Sequence, residues 1–143
     1  MDKKQICIKF AREICDILDI SVPDIKFVSA DRMRTGTQIA ALTPDAVLIR
    51  NDIEVSAELF FALAHELRHA HQIAHGESLG EYRTSDKIGV ERYNLQPLEA
   101  DANAFGALVM SEFFGIVPQF HNMPDAVRKA IKYRMKQLQK EYT

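Results

Sequence analysis

One long helical pattern constrains the fold of this chain more than any other feature of its sequence. Between Ile53 and His75, apolar residues recur at the three- and four-residue spacing of an α-helix, and Gly76 follows as a stop signal. The apolar residues on its broad face are Val55, Leu59, Ala62, Leu63, Leu67 and Ile73. The pattern predicts the longest helix of the chain, with one side turned toward a core.

This helix contains the sequence His65-Glu66-Leu67-Arg68-His69, which is the H-E-x-x-H pattern. Two residues four positions apart project from nearly the same side of a helix, one turn apart, so both imidazoles can reach one ion. Glu66 points about 100° away from His65, beside the ion, where a carboxylate can accept a proton from a water activated by the ion. We therefore predict that His65 and His69 bind zinc and that Glu66 is a catalytic base.

Chance is the alternative explanation of the motif, because the helix contains four histidines. Against it, His65 and Glu66 interrupt an apolar stretch, where polar groups without partners are costly. His71 and His75 are also four apart but have no accompanying Glu, and we expect them at a solvated helix end. His121 is expected at the surface.

A third ligand must come from another part of the chain, because a catalytic zinc site has three protein ligands and leaves one position to water. Pro97 begins a second helical stretch that runs to Gly115, and Glu99 lies in its first turn. Glu99 shares one side of this helix with residues of small or modest size, which lets two helices approach closely. These residues are Ala102, Asn103 and Gly106. Asp101 is the alternative ligand, and since its direction differs from that of Glu99 by about 200°, only one of the two can face the ion.

With these residues, the chain resembles the compact gluzincin-type metallopeptidases of the ImmA/IrrE group, which are common in bacteria and their mobile elements. The similarity covers residues 65–110 well and the rest of the chain by the order of its elements. It implies zinc bound by His65, His69 and Glu99, with Glu66 as base, in an endopeptidase that hydrolyses peptide bonds. It also implies a protein regulator as the class of substrate.

The resemblance also suggests roles for neighbouring residues. Larger gluzincins have an aspartate four residues after the third ligand, where it orients the first histidine; here Asn103 has that position and can accept a hydrogen bond without adding charge. Asp101 is then expected to cap the helix or to pair on its outer side. Tyr93 and Tyr82 are the candidate donors to the oxyanion, and Tyr93, six residues before Glu99, is preferred.

The remaining pattern predicts an α+β fold in one domain, residues 1–143. An amphipathic helix opens the chain, and two or three short strands follow, the last two as a hairpin around Thr43-Pro44-Asp45. The strand-like segments are 25–28, 37–42 and 46–50. We expect a small, mostly antiparallel sheet packed on the zinc-binding helix pair, as a minimal zincin-like domain. The hairpin would offer an edge strand that aligns an extended peptide.

Two further segments are predicted from their patterns. Residues 76–96 have no clear period and are longer than most connections, which indicates a functional loop or lid. Pro124 begins a last helix, whose inward residues are Val127, Ile131, Met135 and Leu138. Six basic side chains against two acidic ones give residues 125–143 a local excess of +4. We expect a solvated face there, with a docking surface for an acidic partner as the alternative.

Composition excludes several classes of function. With 18 Lys and Arg against 20 Asp and Glu, the net charge of -2 gives no field that would gather nucleic acid. The longest apolar run, residues 59–64, is far below the ~20 residues of a membrane helix.

The two cysteines indicate the compartment. Cys7 and Cys15 are eight residues apart on one predicted helix, too far for a disulfide, so reduced thiols and a cytoplasmic location are expected. The expected partner is a peptide or protein substrate, not a nucleic acid or a membrane, and the sequence indicates no oligomeric state.

Two other functions remain open from the sequence. A metal-binding regulatory or interaction module on the same scaffold would need no hydrolysis, although Glu66 argues against it, because a structural site closes with four protein ligands and uses no base. A helical interaction protein would carry the motif by chance, and metal analysis would distinguish it from the other two. Arg68 and Arg92 also lie near the motifs in sequence, and no role is assigned to them.

Overall fold

The structure, a computed structural model, describes residues 1–77 and 88–142, without the side chains of residues 90 and 91. The helices of these residues are α1 (Lys3–Leu18), α2 (Ala57–Ala74), α3 (Val90–Leu95), α4 (Pro97–Phe114) and α5 (Asp125–Glu141). The strands are β1 (Asp24–Val28), β2 (Ala40–Leu42) and β3 (Ala46–Arg50). The prediction of an α+β fold is confirmed. None of these helices is long and apolar enough to cross a membrane.

The three strands form one sheet in the order β1-β3-β2. The predicted hairpin is confirmed: β2 pairs antiparallel with β3, and Thr43 closes the turn by accepting from the Ala46 backbone N–H at 2.9 Å and donating to its carbonyl at 2.9 Å. The expectation of a mostly antiparallel sheet is wrong, because β1 pairs with β3 in parallel over five residues. The chain crosses from β1 to the far side of β3 through a 3-10 turn at Ala30–Arg32, and alternating hydrophobicity does not encode that crossing.

The N-terminal helix and the sheet build one side of the core. Asp2 and Gln5 form a reciprocal capping box at the start of α1, with hydrogen bonds of 2.8 and 2.9 Å. The buried face of α1 packs on α2 and includes both cysteines, which are free thiols. The sheet packs on α2 through β2 and β3. This arrangement fixes the side of α2 that carries the H-E-x-x-H motif next to strand β2.

Helix α2 begins four residues later than the sequence pattern starts. Ser56 is its N-cap and accepts a hydrogen bond from the Leu59 backbone N–H at 3.2 Å, which satisfies a free donor of the first turn. At the other end, Gly76 has a φ of +85°, a conformation that favours glycine, and the predicted stop is confirmed. The 18-residue helix is as long as α4 and longer than the others in the described residues.

Helix α4 lies between α2 and α5 and is buried on all sides from Glu99 to Met110. Its small residues permit the close approach to α2: a Cβ on Gly106 would lie 2.9 Å from the ring of Phe61. The inward face predicted for α5 is confirmed, with Val127, Ile131 and Leu138 fully buried and Met135 partly buried.

The expected loop or lid at residues 76–96 is only partly covered by the structure. Residues 78–87, including Tyr82, lie outside the described residues. Residues 90–95 form the short helix α3, which the sequence interpretation did not predict because six residues are too few to show a period. Helix α3 packs on α4 and α5 and carries Tyr93 and Asn94.

Candidate metal centre

Three donor side chains converge between α2 and α4. The Nε2 atoms of His65 and His69 lie 3.2 Å apart. From the first turn of α4, Glu99 places Oε1 at 3.0 Å from His65 Nε2 and Oε2 at 2.7 Å from His69 Nε2. All three residues offer a ligand atom within 4.8 Å of the others, so this group could hold a metal ion. The sequence named these three residues, and the structure brings them together.

The electrostatics of this group favour a cation. Burial by itself raises the pKa of Glu99, but the neighbouring imidazoles outweigh it and hold that pKa below its ordinary value. For His69, burial lowers the pKa, and the hydrogen bond and charge of Glu99 outweigh burial and raise it to about 9. A carboxylate that stays ionised while its side chain is only 2% exposed needs a positive partner, which protons or a metal ion can supply.

Glu66 lies beside the donor group and is not a member of it. Burial raises the pKa of its carboxyl, and the charges of His65 and His69 oppose that shift. The backbone of Leu42 on β2 also opposes the shift. Glu66 is thus a half-buried acid of α2 that lies next to strand β2.

The sequence interpretation expected Asp101 on the outer side of α4, but the structure buries it. Its carboxylate is buried and accepts hydrogen bonds from Arg68 at 2.7 and 3.1 Å, from Arg134 at 2.7 Å and from Gln72 at 2.8 Å. The expected pairing of Asp101 is present, with Arg68 and Arg134, and only the outer location was wrong. Helix α4 has a neighbouring helix on both sides, so an acid opposite Glu99 faces α5 and not solvent. These bonds occupy both oxygens of Asp101, which excludes it as the third ligand.

The sequence analysis assigned no role to Arg68 or Gln72. In the structure, Gln72 contacts the ligand candidate His69, and Arg68 contacts Asp101. Arg68 is 3% exposed, and besides Asp101 it binds the hydroxyl of Tyr142 at 2.8 Å. Gln72 accepts the Nδ1 hydrogen bond of His69 at 2.7 Å. Their spacing was a usable signal, because residues three and four positions after a ligand lie on the same side of a helix.

Asn103 does not orient the first histidine in this structure. Its amide donates to the side chain of Asn94 on α3 at 3.3 Å. The Nδ1 atom of His65 is buried and has no hydrogen-bond partner among the described residues. The expectation took no account of α3, whose Asn94 is the hydrogen-bond partner of Asn103.

The other candidates divide into cleft and surface residues. Tyr93 is half-buried and lines the clefts at Glu66, whereas Arg92 is exposed. His75 and His121 are exposed, as expected. His71 packs against His75 with ring centroids 4.0 Å apart, at the end of α2.

Two clefts meet at Glu66 and Tyr93. The larger, here called the apolar cleft, has a volume of about 770 Å³ and reaches His65 and Glu99. Its apolar lining includes Phe61, Met110, Ile116, Phe120 and Met123. The second cleft has a volume of about 510 Å³ and lies on the side of His69, with Arg34 and Thr43 in its lining. Strand β2, which has one paired edge among the described residues, borders both clefts.

Comparisons with models of protein families, with curated proteins and with solved structures returned no match to this chain. The resemblance to the ImmA/IrrE group therefore depends on the motif residues themselves. The geometry of the donor group is independent of that resemblance.

Proposed function

We propose that this protein is a zinc-dependent endopeptidase in which His65, His69 and Glu99 bind the ion and Glu66 is the general base. One observation carries the proposal. The three donor atoms converge from two helices, and the carboxylate of Glu66 lies outside their group at the junction of two clefts. A purely structural metal site would have a fourth protein ligand and no adjacent base.

The donor set and the spacing of its two imidazoles support zinc as the metal, whereas the Glu99 oxygens lie closer to the imidazoles, at 3.0 and 2.7 Å. Two ligands bound tetrahedrally at about 2.0–2.1 Å lie roughly 3.3 Å from each other, and the two imidazole Nε2 atoms are 3.2 Å apart. Two histidines and one glutamate form one of the recurring ligand sets of catalytic zinc. Three protein ligands leave a position for water or substrate.

The residues around the donor group have the chemistry that peptide hydrolysis needs. Zinc, when bound, supplies the Lewis acid that polarises the peptide carbonyl and acidifies water. Glu66 accepts the proton of the attacking water on a carboxylate oxygen and transfers it to the leaving nitrogen. Burial raises the pKa of Glu66. A raised pKa helps Glu66 to hold, nearer neutral pH, the proton that it carries from the water to the leaving nitrogen. Tyr93, in the lining of both clefts, is the proposed donor to the oxyanion.

We propose that the substrate is an extended peptide aligned along the unpaired edge of β2 by backbone hydrogen bonds. The apolar cleft would accept a bulky apolar side chain next to the bond that is cleaved. Aromatic and aliphatic side chains such as Phe61, Phe120 and Met123 line it, and burial of apolar surface there favours such a residue.

We further propose that the protein acts in the cytoplasm and that its substrate is a protein regulator. The resemblance to the ImmA/IrrE group supports this substrate class. Cys7 and Cys15 are free and buried, which is typical of proteins in a reducing compartment.

The test is the substitution Glu66→Gln in the zinc-loaded protein, assayed on a peptide mixture by mass spectrometry. The amide removes the base and keeps the zinc ligands, so we expect cleavage to fall about 100- to 10,000-fold with an unchanged zinc content. Glu112→Gln, an exposed Glu on α4, is the matched control and should cleave normally. Activity of Glu66→Gln within a few-fold of the parent would refute the mechanism. A parent protein that holds zinc and cleaves nothing would favour the non-catalytic metal-binding module.

A further inference from the structure

A chain of hydrogen bonds leads from the candidate metal centre to the C-terminal helix. It starts at His69, whose Nδ1 lies 2.7 Å from Oε1 of Gln72. The amide nitrogen of Gln72 donates to the Leu98 carbonyl at 2.9 Å and to Asp101 at 2.8 Å. The side chain of Gln72 is almost fully buried, at 4% exposure of the residue. The glutamine thus connects a metal-ligand candidate with the buried acid of α4.

The partners of Gln72 decide which way its amide points. A backbone carbonyl and an ionised carboxylate can only accept hydrogen bonds, so the atom that contacts both must be the NH₂ group. Its oxygen therefore faces His69 and can only accept. It follows that His69 carries a proton on Nδ1, and once Nε2 loses its own proton, as metal binding requires, the lone pair of Nε2 faces His65 and Glu99.

Asp101 is itself held by two guanidinium groups. Arg68 binds it with two hydrogen bonds, 2.7 and 3.1 Å long, and packs its guanidinium 5.2 Å from the ring centre of Phe105. Arg134 of α5 binds the same carboxylate at 2.7 Å. A carboxylate fixed by a two-pronged arginine and a second arginine has little freedom to rotate, so the position of the Gln72 amide is fixed as well.

We propose that Gln72 is a positioning residue that sets the tautomer and ring orientation of His69 for metal binding. Asp101, with Arg68 and Arg134, keeps Gln72 in place, so α5 contributes to metal affinity. This inference rests on the metal-binding part of the proposed function and is independent of peptide hydrolysis.

A structural role alone would not require the oxygen of this glutamine, because only the amide nitrogen bonds Leu98 and Asp101. The ion pairs of Asp101 with Arg68 and Arg134 already link α2, α4 and α5, and none of them uses the Gln72 oxygen. Only the contact with His69 needs that oxygen. Loss of the oxygen should therefore affect the metal more than the packing of the helices.

The test compares Gln72→Met with the parent protein in a zinc competition titration against a chromogenic chelator. Methionine keeps the length of the side chain and removes both the acceptor for His69 and the donor to Leu98 and Asp101; the cobalt spectrum separates the first loss from the second, because it reports the ligand field. We expect zinc binding to weaken about 10- to 100-fold, the usual effect of losing a hydrogen-bond partner of a ligand histidine. The cobalt-substituted protein should also show shifted visible absorption bands, because the ligand field changes when the imidazole reorients. Gln139→Met, an exposed glutamine of α5, is the matched control and should bind both metals like the parent.

A folded Gln72→Met protein with the zinc affinity and cobalt spectrum of the parent would overturn the proposal. If that variant does not fold, Arg134→Met is tested in its place. The Arg134 side chain is 31% exposed, so its substitution should disturb the fold less. Weaker zinc binding with a shifted cobalt spectrum supports the proposal, and parent-like values overturn it. No readout depends on cleavage, so a protein that binds zinc and hydrolyses nothing would refute the proposed function and leave this inference in place.

Discussion

Oε2 of Glu99 lies 2.7 Å from Nε2 of His69, although the two residues are 30 positions apart in the sequence and belong to different helices. Helices α2 and α4 can place them together because Gly106, two turns further along α4, leaves room for the ring of Phe61. The short distance is therefore a result of helix packing as well as of side-chain chemistry. A substitution at either residue therefore removes a direct contact between α2 and α4.

We expect the purified protein to hold about one zinc per chain and to lose most of it in His69→Ala and in Glu99→Ala. Each substitution removes one of the three ligands, and the two that remain are too few to retain the ion against a chelator. Elemental analysis after gel filtration measures the zinc content. His121→Ala, at an exposed histidine, is the control and should keep the metal. An unchanged zinc content in both ligand variants would contradict the site.

Zinc should also stabilise the fold. An ion that binds only the folded chain adds about 2.7 kcal/mol at 100 times its Kd, which for a domain of this size raises the melting temperature by roughly 5–10 °C. Calorimetry with and without a chelator measures the shift. In Glu99→Ala the shift should disappear, because the buried carboxylate that contacts both histidines is gone. A shift of the same size in that variant would place the stabilising ion elsewhere.

The positions of the metal-ligand candidates could be predicted from the sequence because helical spacing fixes the direction of side chains on one element. His65 and His69 share a face of α2 whatever packs around it, and Glu99 needs only the start of α4 at Pro97. The environment of Asp101 could not be predicted in this way. It depends on Arg134, 33 residues away on a helix that covers the side of α4 expected to be solvated.

The same limit applies to the sheet and to Asn103. Strand-like segments were visible in the sequence, but the parallel pairing of β1 with β3 depends on the path of residues between them. Asn103 was expected to contact His65, and it contacts Asn94 on a helix too short to leave a periodic signal. Local pattern predicts elements and faces, whereas these contacts depend on the neighbours that tertiary packing supplies.

Cys15 should make the protein less stable at alkaline pH. Burial raises the pKa of its thiol to about 11, so the folded chain keeps the proton over a pH range in which the unfolded chain releases it. The stability that this thiol contributes is fully present below the unfolded pKa, near 8.5, and is lost as pH rises toward 11. Urea unfolding under reducing conditions at pH 8.5 and 10.5 measures the change.

In Cys15→Ala the decline of the unfolding free energy should be shallower, by up to about 1 kcal/mol per pH unit. Val127→Ala is the control, because it truncates another fully buried side chain without removing a titrating group. That variant should be less stable at both pH values and should keep the slope of the parent. Equal slopes in parent and Cys15→Ala would show that the thiol ionises as easily in the folded chain as in the unfolded one.

The apolar cleft should determine which peptides are cleaved. Ile116 lines it and is 43% exposed, so Ile116→Lys adds a charge at the cleft with little effect on the core. We expect kcat/KM for peptides with Phe or Leu beside the cleaved bond to fall about tenfold or more, since a charge in an apolar pocket opposes burial of such side chains. For peptides with an acidic residue at that position, kcat/KM should fall less or should rise.

Val22→Lys is the control, because Val22 is equally exposed and does not line the clefts at Glu66. Zinc content should stay constant in both variants, and an equal loss on apolar and acidic peptides would show that the cleft does not select the side chain.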